Sequence, residues 1–185
     1  MDRILFIAQR ASKYHILAFA FILFAFRLSP FTFFAPSSCW AADADITRQT
    51  IKGMKAFHVI VEEVQPNVQR YAQKAGITKE QIQKNVENKL KANGIKVLTN
   101  DEWLKTPGKP VLYINVNTHE TEKYWYAYDV KVEVKQSVFL EANFAIKTLA
   151  STWSINVTGM ANIGTLGNIK SAVDGLVDRF ITAVK

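Results

Sequence analysis

The sequence predicts an α+β fold, a two-layer sandwich in which a mainly antiparallel sheet of about five strands carries two principal helices on one face. Three observations carry that expectation. A capped helical pattern spans 78–93, apolar and polar residues alternate through 124–140, and a wide apolar stripe at helical spacing closes the chain over 166–184. A helix buries one stripe and a strand one face, so these segments can complete one another's core.

Taken in order, 55–64 (KAFHVIVEEV) is rich in β-branched residues, with Phe57, Val59 and Val61 on one face and His58, Ile60 and Glu62 on the other. That alternation predicts a first strand. Pro66 stops the ladder, and Val68, Ala72 and Ala75 recur at helical spacing before Gly76, which predicts a short helix. Thr78 and Gln81 spell a capping box, Ile82, Val86 and Leu90 follow on one stripe, and Gly94 supplies a left-handed stop. Residues 95–98 predict a short second strand, Asn100 to Trp103 a capped turn, and Pro107, Gly108 and Pro110 a loop.

From 111 onward the pattern is that of antiparallel sheet. Leu112, Ile114 and Val116 share one face, with Tyr113, Asn115 and Asn117 on the other. In 124–140 the apolar series Tyr124, Tyr126, Tyr128, Val130, Val132, Val134, Val138 and Leu140 opposes Asp129, Lys131, Glu133 and Lys135, with Gln136 marking a bend or bulge. The stretch 145–158 predicts the return strand, placing Leu149, Trp153, Ile155 and Val157 inward. The terminal helix, from about Leu166, buries Ile169, Val173, Leu176, Val177, Phe180, Ile181 and Val184.

The front end is a different material. Residues 1–41 hold eight of the 12 phenylalanines, four basic residues, one acid and the single cysteine, Cys39. Three of the basic residues precede an apolar run of 11 residues, Ile16 to Phe26, and small residues at Cys39 and Ala41 satisfy a signal peptidase. The run is well short of the roughly 20 residues a membrane-spanning helix needs. A cleavable signal peptide over 1–41 is therefore expected, cut between Ala41 and Ala42, followed by a flexible lead-in over 42–52 and a single domain over 53–185. The protein is then periplasmic or secreted. The alternative, an inner-membrane anchor continuing to Phe34, would bury Arg27 at a cost of about 2.5–3.5 kcal/mol. Lipidation at Cys39 would want a leucine-like residue where Pro36 stands.

Without residues 1–41, 144 residues carry 19 basic and 15 acidic side chains, one domain's worth of chain with a modest positive charge. No cysteine remains there for a disulfide, a thiolate-held metal or a thiol nucleophile. Gly159, Gly164 and Gly167 lie between a strand and a helix, as a phosphate loop would, yet Gly164 is followed by Thr165 and Leu166 where Lys and Ser/Thr are required. The reading is a glycine-bearing turn with Thr165 capping the helix. His119, Glu120 and Glu122 gather ligand types without a second nearby histidine, and they read as a solvated hairpin end. His58 reads as a structural histidine. Glu62 and Glu63 are adjacent, hence on opposite faces, which is wrong for a working carboxylate pair. Serines 137, 151, 154 and 171 lack a nucleophile elbow, and Asn156-Val157-Thr158 spells a glycosylation sequon inside an expected strand. No catalytic residue, metal site or cofactor is expected. Lys131 and Lys135 are diluted by Asp129 and Glu133, so nucleic acid is not expected as a partner.

What remains is a surface. Tyr113, Asn115 and Asn117 with the outward-facing Trp125 form a candidate protein-contact face, since exposed aromatic residues anchor interfaces more often than charges do.

The segments GMKAFHVIVEEV, NKLKANGIKVL, LYINVNT, YAYDVKVEVKQSVFL, TWSINVTG and DGLVDRFITAVK together resemble small exported bacterial domains of unassigned function. In layout they are similar to the β-α-β-β-β-α unit of the amino-terminal domain of TolB and of envelope proteins such as LpoB and CsgG. The resemblance covers most of 53–185 and carries no catalytic motif. It implies protein contact in the envelope; with no catalytic motif, the expected function is a non-enzymatic periplasmic module that binds an envelope protein partner, with a periplasmic small-ligand carrier or sensor as the alternative.

Overall fold

A computed structural model describes residues 43–185, all within one compact unit. Ala41, Ala42, Cys39 and the apolar run lie outside the described residues. The elements are α1 (Asp45–Gln49), β1 (Ala56–Val61), α2 (Pro66–Ala75), α3 (Lys79–Ala92), β2 (Lys96–Val97), α4 (Asn100–Lys105), β3 (Val111–Glu122), β4 (Trp125–Leu140), β5 (Asn143–Asn162) and α5 (Gly167–Val184). The five strands form one mixed sheet in the order β2-β1-β3-β4-β5. β1 runs parallel to both neighbours, and the two long hairpin pairs, β3 with β4 and β4 with β5, are antiparallel. The α+β class and the sandwich expected from the sequence are what the chain adopts.

Local chemistry explains most element ends. Pro66 opens α2, where its missing amide is not needed, and Gly76 closes the helix in the left-handed region at φ 73°. The Thr78 hydroxyl accepts from the Gln81 amide while the Gln81 side chain accepts from the Thr78 amide, so the capping box of α3 is complete. A second box, Thr99 with Glu102, starts α4. Glu102 also takes Lys96 at 2.6 Å, and with the Thr99 amide this holds its carboxyl down to about 2.

Core formation follows the alternation. Phe57, Val59 and Val61 of β1, Leu112, Ile114 and Val116 of β3, Val130, Val132 and Val134 of β4, and Trp153 and Ile155 of β5 are all buried on one face. Against them pack Val68 and Ala72 of α2, Ile82, Val86 and Leu90 of α3, and the apolar stripe of α5. Phe180 of α5 meets Phe57 edge-on, centroids 5.0 Å apart, and lies 5.7 Å from Trp153, so one ring joins the helix to opposite sides of the sheet. Between the helices, Asn85 donates to Asp174 at 2.6 Å and Lys89 pairs with Asp178 at 2.8 Å.

Five expectations change. The segment 42–52 is not a free lead-in where it is described: it forms α1, Ile51 is wholly buried in the core, and the Asp43 carboxylate accepts from Arg48, Trp153 and Arg179. Leu149 does not face inward but is 49% exposed, because the outer part of the β4–β5 hairpin runs past the helical layer and leaves Phe139, Leu140, Phe144 and Ile146 exposed as well. The ladder breaks near the expected place. Val134 pairs with Trp153 and Lys135 with Ser151, so the extra residue is Thr152, on the partner strand rather than at Gln136. Tyr124 leaves the apolar series because it occupies the β3–β4 turn at φ 69°. Finally, Thr165 does not cap α5: the side-chain oxygen of Thr165 accepts from the Asn162 amide, and the helix starts without a side-chain cap.

Candidate functional site

The sheet has a second face, and the pairing register determines who is on it. In β3 it carries Tyr113, Asn115, Asn117 and His119, opposite Glu133, Lys131, Asp129 and Ala127 of β4, which lie beside Ser154, Asn156, Thr158 and Met160 of β5. Helix α4 reaches this side only at β1, where Trp103 stacks on His58 at 5.4 Å. Along β4 no helix among the described residues covers it. Tyr113, Asn115, Asn117 and Trp125 thus share one face, as the alternation predicts.

Their environments differ. Tyr113 and Asn115 are half-buried and both donate to the Glu62 carboxylate, one oxygen each. The Lys135 ammonium sits 3.5 Å from the centroid of the Tyr113 ring. Glu133, buried directly opposite Tyr113, is neutralised by Lys131 at 2.6 Å and Lys135 at 3.6 Å. The Asn115 side-chain oxygen is buried with no partner among the described residues. Asn117 is exposed and accepts from Gln65 at 3.2 Å. Trp125 stands 44% exposed at the far end, beside the hairpin turn. The face therefore has a pre-organised ionic and amide half around Glu62 and Glu133, and an open half toward Trp125.

Sequence reasoning did not bring Glu62 to the site. Its parity with His58 and Ile60 points it outward, but only the parallel pairing of β1 with β3, in which Ile60 sits beside Tyr113, sets it against Asn115. Glu63 turns elsewhere and pairs with Lys79 at 3.1 Å, so the two carboxylates do diverge.

The open half contains a depression of about 480 Å³ lined by Asn117, His119, Ala127, Asp129, Thr158 and Met160 among others. Ala127 is the small residue between His119 and Met160 in one cross-strand row, and the next row is Asn117, Asp129, Thr158. Beneath, on the helical face, a Cβ at position 159 would meet the Tyr128 ring at 2.5 Å. Gly159 is thus present to seat that ring, rather than to cradle a phosphate. The amides of Gly164 and Thr165 are likewise spent, both donating to the Asn162 side chain.

Among the described residues no group of three histidine, aspartate, glutamate or cysteine side chains is placed to hold a metal ion, and no helix is long and apolar enough to cross a membrane. No model of a known protein family matches the chain, and no curated protein matches its sequence.

Proposed function

We propose that this protein is an exported, non-enzymatic module of the bacterial cell envelope that binds another envelope protein across the outer face of its sheet. The basic, apolar and small-residue order of residues 1–41 supports export. The observation that carries the binding reading is the uncovered face along β4. Helices α2, α3 and α5 contribute to the core on the opposite side, while the outer side combines bound polar groups with an exposed tryptophan at its rim. An interface of this kind needs an anchor and a polar surround already held in place, so that little side-chain freedom is lost on contact. Tyr113 and Asn115, tied to Glu62, supply the held surround, and Trp125 supplies the anchor.

The test is cross-linking in cells followed by substitution. Trp125→Ala and the double substitution of Tyr113 and Asn115 by Ala are expected to lower partner recovery by about tenfold or more, the range of an interface hot spot. Full recovery with both variants would show that this surface is not the interface. The mass of the isolated protein is expected to match residues 42–185. A second reading, a small-ligand carrier, is favoured by the depression beside Asp129 and would give a thermal shift with the correct ligand.

A further inference from the structure

The open half of the outer face has a chemistry of its own. Of the carboxylates on this face, buried Glu133 has two lysines, and exposed Glu62 is held by two neutral donors, Tyr113 and Asn115. Asp129 differs from both. It is half-buried, it forms no ion pair among the described residues, and its hydrogen-bond partner is the Asn156 amide at 3.0 Å. Lys131, its neighbour on the same face, is turned onto Glu133 at 2.6 Å. Among the described residues, no lysine or arginine lines the depression that Asp129 borders.

One cross-strand row away, Ala127 lies between His119 and the exposed Met160, so the floor is apolar on the Ala127 and Met160 side. Two residues along a strand separate the rows by about 7 Å. A side chain that satisfies both rows has a flexible alkyl stem ending in a cation, the stem on the apolar row and the charge on the carboxylate. Asn117 and Thr158 flank Asp129 in its row and offer additional acceptors to such a head group. The other large concavity, about 610 Å³ near the start of the described chain, lacks this opening for a cation, because Arg48 and Arg179 already neutralise Asp43 there.

We infer that the depression over Ala127 receives a lysine or arginine side chain carried by the partner protein, with its stem on Ala127 and Met160 and its cation on Asp129. This deepens the protein-binding reading above and rests on it. Trp125, on the same face, lies outside the pocket. The contact accounts for two features at once, the small residue at 127 and the carboxylate without a cation.

The experiment uses protein isolated from cells expressing the full chain, labelled with ¹³C at the methionine methyl groups. Met160 reports on the depression, and Met54, packed against the core, is the control. The probe is lysine capped as its N-acetyl methylamide, compared with the uncharged norleucine analogue and with free cadaverine. Capped lysine is expected to shift the Met160 methyl saturably and leave Met54 in place. Norleucine, and the variant Asp129→Asn, are expected to weaken that response by about fivefold, the scale of one partly solvated ion pair, and Ala127→Leu is expected to abolish it by filling the floor. No saturable shift, or equal responses to lysine and norleucine, would overturn the assignment. A stronger response to cadaverine than to capped lysine would also overturn it and assign the site to a free diamine. Chemical cross-linking in cells of the same variants, with Trp125 intact, separates the two levels. A partner captured with unchanged yield in Asp129→Asn and Ala127→Leu removes the basic-residue contact but leaves protein binding standing, whereas failure to capture any partner removes protein binding itself.

Discussion

Asp43 shows how far a single residue can alter the reading of a segment. Four hydrogen bonds, two from Arg48 at 2.7 and 2.8 Å, one from the Trp153 indole at 3.0 Å and one from Arg179 at 3.1 Å, converge on its carboxylate. Chiefly the Arg48 bonds, against the opposing effect of desolvation and with help from Trp153, hold its carboxyl down to about 2 from an ordinary 3.8. Because the folded value lies below the unfolded one, this contribution to stability is complete above about pH 4 and is lost as pH falls toward 2. Asp43→Asn is expected to lower stability at neutral pH by about 1–3 kcal/mol, the cost of donors left without a full acceptor. The gap between variant and parent should close between pH 4 and 2 in urea unfolding. A constant gap across that range would mean that charge is not what Asp43 contributes. Nothing in the local sequence marks this residue, since Asp43 lies 110 positions from Trp153 and 136 from Arg179.

At the scale of elements, helices and strands behave differently. The start of α3 is written in four consecutive residues, and Thr78→Ala is expected to cost about 1 kcal/mol in chemical denaturation. The β4–β5 hairpin was legible as alternation, yet alternation does not say how much helix lies over it. Trp153 and Ile155 meet α5 and are buried, whereas Leu149 and Phe144 continue the same ribbon beyond the helical layer, with Phe144 71% exposed. Phe144→Ser is therefore expected to change unfolding free energy by no more than about 0.5 kcal/mol, as for an ordinary surface position. A loss of several kcal/mol would show that the arm is packed in solution. The glycine turn is the complementary case: its spacing suggested a phosphate loop in outline, and its meaning, a seat for Tyr128, depends on the residue opposite in β4.

Across the whole molecule, stability rests on one core between the sheet and the helices, without a covalent clamp, because the chain has a single cysteine. Phe180 contacts the rings of both β1 and β5 from α5, so Phe180→Ala is expected to cost about 3–5 kcal/mol and to lower the unfolding midpoint as one cooperative transition. Two separate transitions would show that α5 is not integral to the core. The amino-acid sequence alone determined the class of fold, the capped helix α3, the inward series of the central strands and the common face of Tyr113, Asn115, Asn117 and Trp125, because each is set by periods and caps within a few residues. Tertiary structure alone decided that β1 lies parallel to β3, that Glu62 becomes the hub of the outer face, that the segment after Ala42 joins the core, and that Asp129 is left beside Ala127 and Met160. The reason is physical. Caps and alternation are local hydrogen-bond and burial patterns, whereas strand order, register and charge pairing come from contacts between residues far apart in the chain, whose partners are chosen only when the sheet assembles.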